Sequence, residues 1–164
     1  MKNVIRLLLL SWICMATKCQ DKESENCHTS ISFVNNSERS LYVNYDTYYL
    51  RNIDPFNIKA LSYFHPDQKN LKCCEINTNA LSSNMCFEDR FKTIDTIYVF
   101  IFDTVVVENT IWEVVVQDYL VLKRYDLTLE DLQRLDWKIT YPPTEAMQYV
   151  KQYPPYGSEC FFQF

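Results

Sequence analysis

Apolar positions along this chain fall into short runs separated by polar turns, and the strongest run is Ile97 to Phe102, where every residue is aliphatic or aromatic. β-Branched and ring side chains suit the pleated, packed surface of a strand. Successive side chains alternate across a strand, so Ile97, Val99 and Ile101 share one face and Tyr98, Phe100 and Phe102 the other. A strand apolar on both faces must be covered on both. This one is therefore expected at the centre of its sheet, with a further layer on each side.

Weaker runs surround it. Ile31–Val34 reads as a first strand and Asn35–Arg39 as an Asn/Ser-rich turn. Leu41–Leu50 reads as a second strand, with Leu41, Val43, Tyr45 and Tyr49 inward and Tyr42, Asn44, Asp46 and Tyr48 outward. Ile58–Phe64 and Leu71–Ile76 are further strand candidates, and Phe87–Lys92 is one turn of helix. Val105–Val107 reads as the end of the central strand. Thr110 with Glu113 has the spacing of a capping box, and Ile111, Trp112, Val115, Val116 and Tyr119 then fall on one helical stripe. The β-branched Val114–Val116 argues for strand, but a short helix here would cover the second face of the central strand. Leu120–Leu127 is a strand, and Thr128 with Asp131 forms a second capping box that turns Leu129, Leu132 and Leu135 inward. Trp137–Tyr141 is a strand ended by Pro142-Pro143, and Thr144–Gln152 reads as a third short helix. Strands at roughly ten-residue spacing with polar turns predict a mainly β fold, an immunoglobulin-like β-sandwich with two or three short helices inserted late.

The start of the chain has a different character. Lys2 and Arg6 precede the apolar run Leu7–Ile13, which is too short to span a bilayer and has the layout of a secretory signal. Residues 1–19 read as that signal, 20–29 as a polar tether, and 30–164 as a single domain with an aromatic C-terminal tail. Cleavage after Cys14-Met-Ala16 gives a free chain. Cleavage before Cys19 makes Cys19 the lipidated first residue, although Lys18 sits where a small residue is expected.

Charge and composition then remove whole classes of function. The net charge is −5, and residues 1–19 hold three cations (Lys2, Arg6, Lys18) and no acid, so the remainder is more acidic still. Such a surface does not suit nucleic-acid phosphates or an anionic membrane, which leaves a lipid anchor as the only membrane attachment. The chain has one glycine, Gly157. Dinucleotide loops, P-loops and nucleophile elbows need several. The two histidines, His28 and His65, lie in the polar lead-in and in a His-Pro turn. Neither sits in a catalytic motif, and no cofactor-binding set appears.

Seven cysteines in an exported chain point to an oxidising compartment. Once Cys14 and Cys19 are removed or modified, the disulfide candidates are Cys27, Cys73, Cys74, Cys86 and Cys160. A natural arrangement joins Cys27 to Cys160 and Cys86 to Cys73 or Cys74, but the sequence leaves the connectivity open. Their spacing matches no paired zinc-ligand set.

Three stretches carry a resemblance. Val34-Asn-Asn-Ser37, Ile97-Tyr-Val-Phe-Ile-Phe-Asp103, and Leu122–Leu132 running on to Trp137-Lys-Ile-Thr-Tyr-Pro142 occur together. In this the chain, over about residues 30–157, resembles a group of small uncharacterised exported, lipoprotein-like proteins of Bacteroides-type bacteria. The resemblance implies a cell-envelope location (outer membrane or cell surface if lipidated, otherwise periplasmic or secreted) and supplies no catalytic residues. Such bacteria attach O-glycans at Asp-Thr followed by an aliphatic residue. Thr96 and Thr104 fit that pattern, with Thr104, at a strand end, expected to be the more accessible.

The function expected from this reading is a non-enzymatic envelope protein that binds an envelope protein or a glycan, or serves a structural role. A carbohydrate-binding module is the alternative: of twelve tyrosines and three tryptophans, Tyr42, Tyr48, Tyr153 and Tyr156 are the candidates for stacking on sugars. A carboxylate-based hydrolase is the third reading, with Glu88/Asp89 and Glu130/Asp131 as adjacent acids.

Overall fold

The computed structural model of the chain describes residues 26–46, 62–64 and 80–158. These residues are mainly β, in two sheets with a few short helices. Strands β1 (Ser30–Asn35), β4 (Ala80–Ser82) and β7 (Lys138–Tyr141) form a three-stranded sheet in the order β4-β1-β7. Strands β2 (Leu41–Asp46), β3 (Ser62–Phe64), β5 (Ile97–Asp103), β6 (Lys123–Leu127) and β8 (Lys151–Tyr153) form a five-stranded sheet in the order β3-β2-β5-β6-β8. Every pairing is antiparallel except β1 with β7, where Ser32 lies opposite Lys138 and Asn35 opposite Tyr141.

The two-faced run is the middle strand of the larger sheet, as its composition requires. Ile97, Val99 and Ile101 enter a core to which both sheets contribute: Ile31 and Phe33 from β1, Leu81 from β4 and Ile139 from β7 on one side, Leu41, Val43, Tyr125 and Leu127 on the other. Phe100 and Phe102 face the opposite way, into a second core. That core is closed by helices α2 (Thr104–Asn109) and α3 (Trp112–Gln117) through Val107, Trp112 and Val115. The layers thus run sheet, core, sheet, core, helix pair. Two further helical turns, α1 (Phe87–Arg90) and α4 (Leu129–Arg134), flank the first core through Phe87 and Leu132.

Several local expectations are corrected. Val105–Val107 does not extend β5. The Asp103 side chain accepts the Val105 N–H at 2.9 Å and caps a helix there, so a cap overrides β-branched propensity. Helix α3 forms as expected, but Ile111 is its N-cap and no side-chain cap bond is made, so the Thr110–Glu113 box is not used. Burial of Trp112 and Val115 positions the helix instead. The outward face of β2 is not simply solvated, since Tyr42 packs against the second core. Residues 144–152 are not one helix. Glu145–Met147 makes a single 3-10 turn, and Lys151–Tyr153 then pairs with β6, giving partners to backbone groups that the edge of β6 would otherwise leave bare. Strand β4 carries too short an apolar run to stand out. The Thr128 box forms in full, with the Thr128 hydroxyl taking the Asp131 N–H and the Asp131 carboxylate taking the Thr128 N–H. The Leu71–Ile76 strand and the end of the Leu41–Leu50 strand lie outside the described residues.

With so little glycine, the chain ends helices in an unusual way. After α3, Tyr119 (φ 53°) donates to Val116 and Leu120 to Val115; after α4, Asp136 (φ 52°) donates to Gln133 and Trp137 to Leu132. Both are Schellman closures with a non-glycine residue in the left-handed position. Asp136→Gly is expected to stabilise the fold by about 0.5 kcal/mol, the relief of left-handed strain less the added freedom of the unfolded chain. Urea titration checks this, and a loss of stability would contradict it.

Candidate functional site

A polar groove forms where three distant segments meet. Cys27 is bonded to Cys86, which corrects the expected pairing of Cys27 with Cys160 and of Cys86 with Cys73 or Cys74. Cys73, Cys74 and Cys160, with Cys19, lie outside the described residues. The bridge lays the segment from Cys27 along the start of α1. The His28 carbonyl accepts the Phe87 N–H at 2.8 Å, and the His28 N–H donates to Glu88 Oε2 at 2.8 Å. The His28 ring reaches Glu88 Oε1 through Nδ1 at 2.5 Å. It also lies flat on Trp137, with centroids 4.0 Å apart and planes 12° from parallel.

Trp137 is delivered by the turn after α4. Its ring packs into the first core beside Phe87 and is only 8% exposed. His28, placed by its sequence in a polar lead-in, is thus built into the domain. The groove beside it has a volume of about 410 Å³ and is lined by Asn26, His28, Glu88, Asp89, Lys92, Gln133, Asp136 and Trp137. Within it Lys92 pairs with Asp89 at 2.6 Å, and Asp136 is exposed.

The electrostatics are set by His28. Burial pushes the Glu88 carboxyl up, but the ring and backbone hydrogen bonds from His28 outweigh this and hold it below its ordinary value of 4.5. The sign follows: a depressed carboxyl stabilises the fold fully above pH 4.5, and that contribution is lost as pH falls through the lowered value. Wild-type protein is therefore expected to lose stability below about pH 4.5 more steeply than Glu88→Gln. Parallel melting curves from pH 7 to pH 3 check this; equal slopes would show that the contact carries no linkage.

Chemically, the groove presents paired donors and acceptors around a fixed imidazole. This suits it to hold a polar ligand. Among the described residues no group of three His, Cys, Asp or Glu side chains converges as a metal site.

The other candidate residues are dispersed. Tyr42 is half-buried and bonds Glu108 at 3.0 Å. Tyr153 and Tyr156 are exposed, and Tyr149 more so at 72%; Tyr149 was hidden in the residues expected to form a helix. Tyr48 lies outside the described residues. Thr104 is buried whereas Thr96 is partly exposed, the reverse of the expected order, because Thr104 opens α2 rather than ending an exposed strand. Asp131 is committed to its cap and to Arg134, while Glu88 is held by His28. His65 lies outside the described residues. No signal in any one segment marks the groove; the Cys27–Cys86 bridge is what assembles it. Among the described residues no helix is long and apolar enough to cross a membrane. No family model, curated protein or solved structure matches the chain.

Proposed function

We propose that this is an exported, non-enzymatic cell-envelope protein that binds a polar partner in the His28–Trp137 groove. The observation that carries the reading is the groove itself, about 410 Å³ of polar-lined space pinned by a disulfide and a stacked ring pair. The bridge is consistent with an extracellular or periplasmic setting, and the apolar run after Lys2 and Arg6 supports export. We read the two sheets as halves of a β-sandwich. The shared core supports this, while the parallel β1–β7 pair departs from an all-antiparallel immunoglobulin-like arrangement.

The test is an array of glycans and envelope peptides probed with wild-type protein and with a Gln133→Ala/Asp136→Ala variant. Capture by wild type and loss in the variant is the expected result. Equal capture, no capture, or turnover of the captured ligand overturns it. A glycan held on exposed rings instead of in the groove is the alternative reading, carried by Tyr149, Tyr153 and Tyr156 around β8. Attachment through Cys19 is part of the same reading. Intact mass from the native host decides it: a diacylglyceryl increment on a chain starting at Cys19 supports the anchor, and a lipid-free mature chain removes it.

A further inference from the structure

A second concavity, unrelated to the groove, opens on the helix-covered side of the five-stranded sheet. It is lined by Val106 of α2, by Tyr119, Leu120, Val121 and Leu122 after α3, and by two acids, Asp103 and Asp118. Its volume is about 140 Å³. Ordinary ligand pockets are several times larger, and an apolar cavity of about 150 Å³ admits a single benzene ring. Size thus restricts the occupant to one ring or a short branched alkyl group.

Charge restricts it further. Asp103 is fully engaged: Oδ1 accepts the Val105 N–H and Oδ2 accepts Arg39, each at 2.9 Å. Asp118 is exposed. Arg39 balances Asp103, Lys123 Nζ donates to the Pro154 carbonyl and Arg124 pairs with Asp126. Among the described residues, the lining acid that faces solvent without a cation beside it is therefore Asp118, and it favours a positively charged group at the rim. The wall is fixed in advance. Leu120 donates to Val115 at 2.9 Å, Val121 to Tyr119 at 2.7 Å, and Arg124 holds the Tyr119 hydroxyl at 2.9 Å.

We propose that this cleft binds a small aryl or branched-alkyl amine, its apolar group between Val106 and Leu120–Leu122 and its ammonium facing Asp118. The test titrates the full chain, carrying labelled Val and Leu methyl groups, with benzylamine, benzyl alcohol and benzoate, and follows methyl shifts by NMR. Saturable shifts with benzylamine, and weaker binding of benzoate, are expected. Asp118→Asn should weaken benzylamine about two- to fivefold, as befits an exposed ion pair, and leave benzyl alcohol unchanged. Val106→Phe, which fills the cleft, should abolish both. Asp118 lies on the surface, so its variant keeps the proposal testable even if Val106→Phe fails to fold. Absence of saturable benzylamine shifts, benzoate binding as tightly as benzylamine, or an Asp118→Asn protein indistinguishable from wild type overturns it.

Discussion

Replacing Cys27 and Cys86 by serine is expected to lower the stability of the oxidised protein by about 4 kcal/mol, the loop-closure value for a bridge of this span. The bonded cysteines are 59 residues apart in sequence, so the bridge removes much freedom from the unfolded chain. For a domain whose whole stability is about 5–15 kcal/mol, that is a large share. The groove should be lost with it, because the bridge also holds His28 on Trp137 and Glu88 at the His28 Nδ1. Urea unfolding of wild type, with and without reductant, and of the double serine variant measures the effect. A loss below about 1 kcal/mol would mean that the unfolded chain is already compact around this loop.

The second large effect is on the far side of the sheet. Trp112→Ala is expected to cost about 3–5 kcal/mol, the range for removing a buried aromatic ring. Trp112 is 6% exposed and tilts against Phe102 at 5.6 Å, with Phe100, itself fully buried, stacked beyond it. Without the indole, the outer face of β5 would be left beneath a helix pair anchored by the smaller Val107 and Val115. The measurement is the urea midpoint, with near-ultraviolet circular dichroism to report loss of ring packing. A cost under 1 kcal/mol would show that α2 and α3 are a loose cover and that β5 is stabilised from one face alone.

How far the sequence could be read depended on whether the deciding force was local. β5 was legible because both of its faces are apolar in sequence, and only a central, doubly covered strand satisfies that. The start of α4 was legible because Thr128 and Asp131 complete their bonds within one turn. Helix α2 was not, since Val105-Val-Val107 favours strand and the balance is reversed by the Asp103 cap and by burial of Val107 in the second core. The strand at Lys151–Tyr153 was hidden because its cause is distant: β6 needs a neighbour, and Lys151 finds Asp126 there. The groove was the least legible feature. Asn26 and His28, Glu88 to Lys92, and Gln133 to Trp137 are far apart in sequence, and five candidate cysteines left their pairing open. One bond, Cys27 to Cys86, turned a supposed tether into the wall of a site.

The parallel pairing of β1 with β7 has a consequence for how the chain is made. Ser32 meets Lys138, so the first strand is matched only after nearly the whole domain has emerged. Until then β1 has β4 alone beside it and one bare backbone edge, with Ile31 and Phe33 on its flank. Contacts this far apart in sequence form late, and an open apolar edge invites pairing with another chain. Chains stalled or truncated before Lys138 are therefore the species expected to aggregate during synthesis, and a holding chaperone that covers β1 would protect them until β7 arrives.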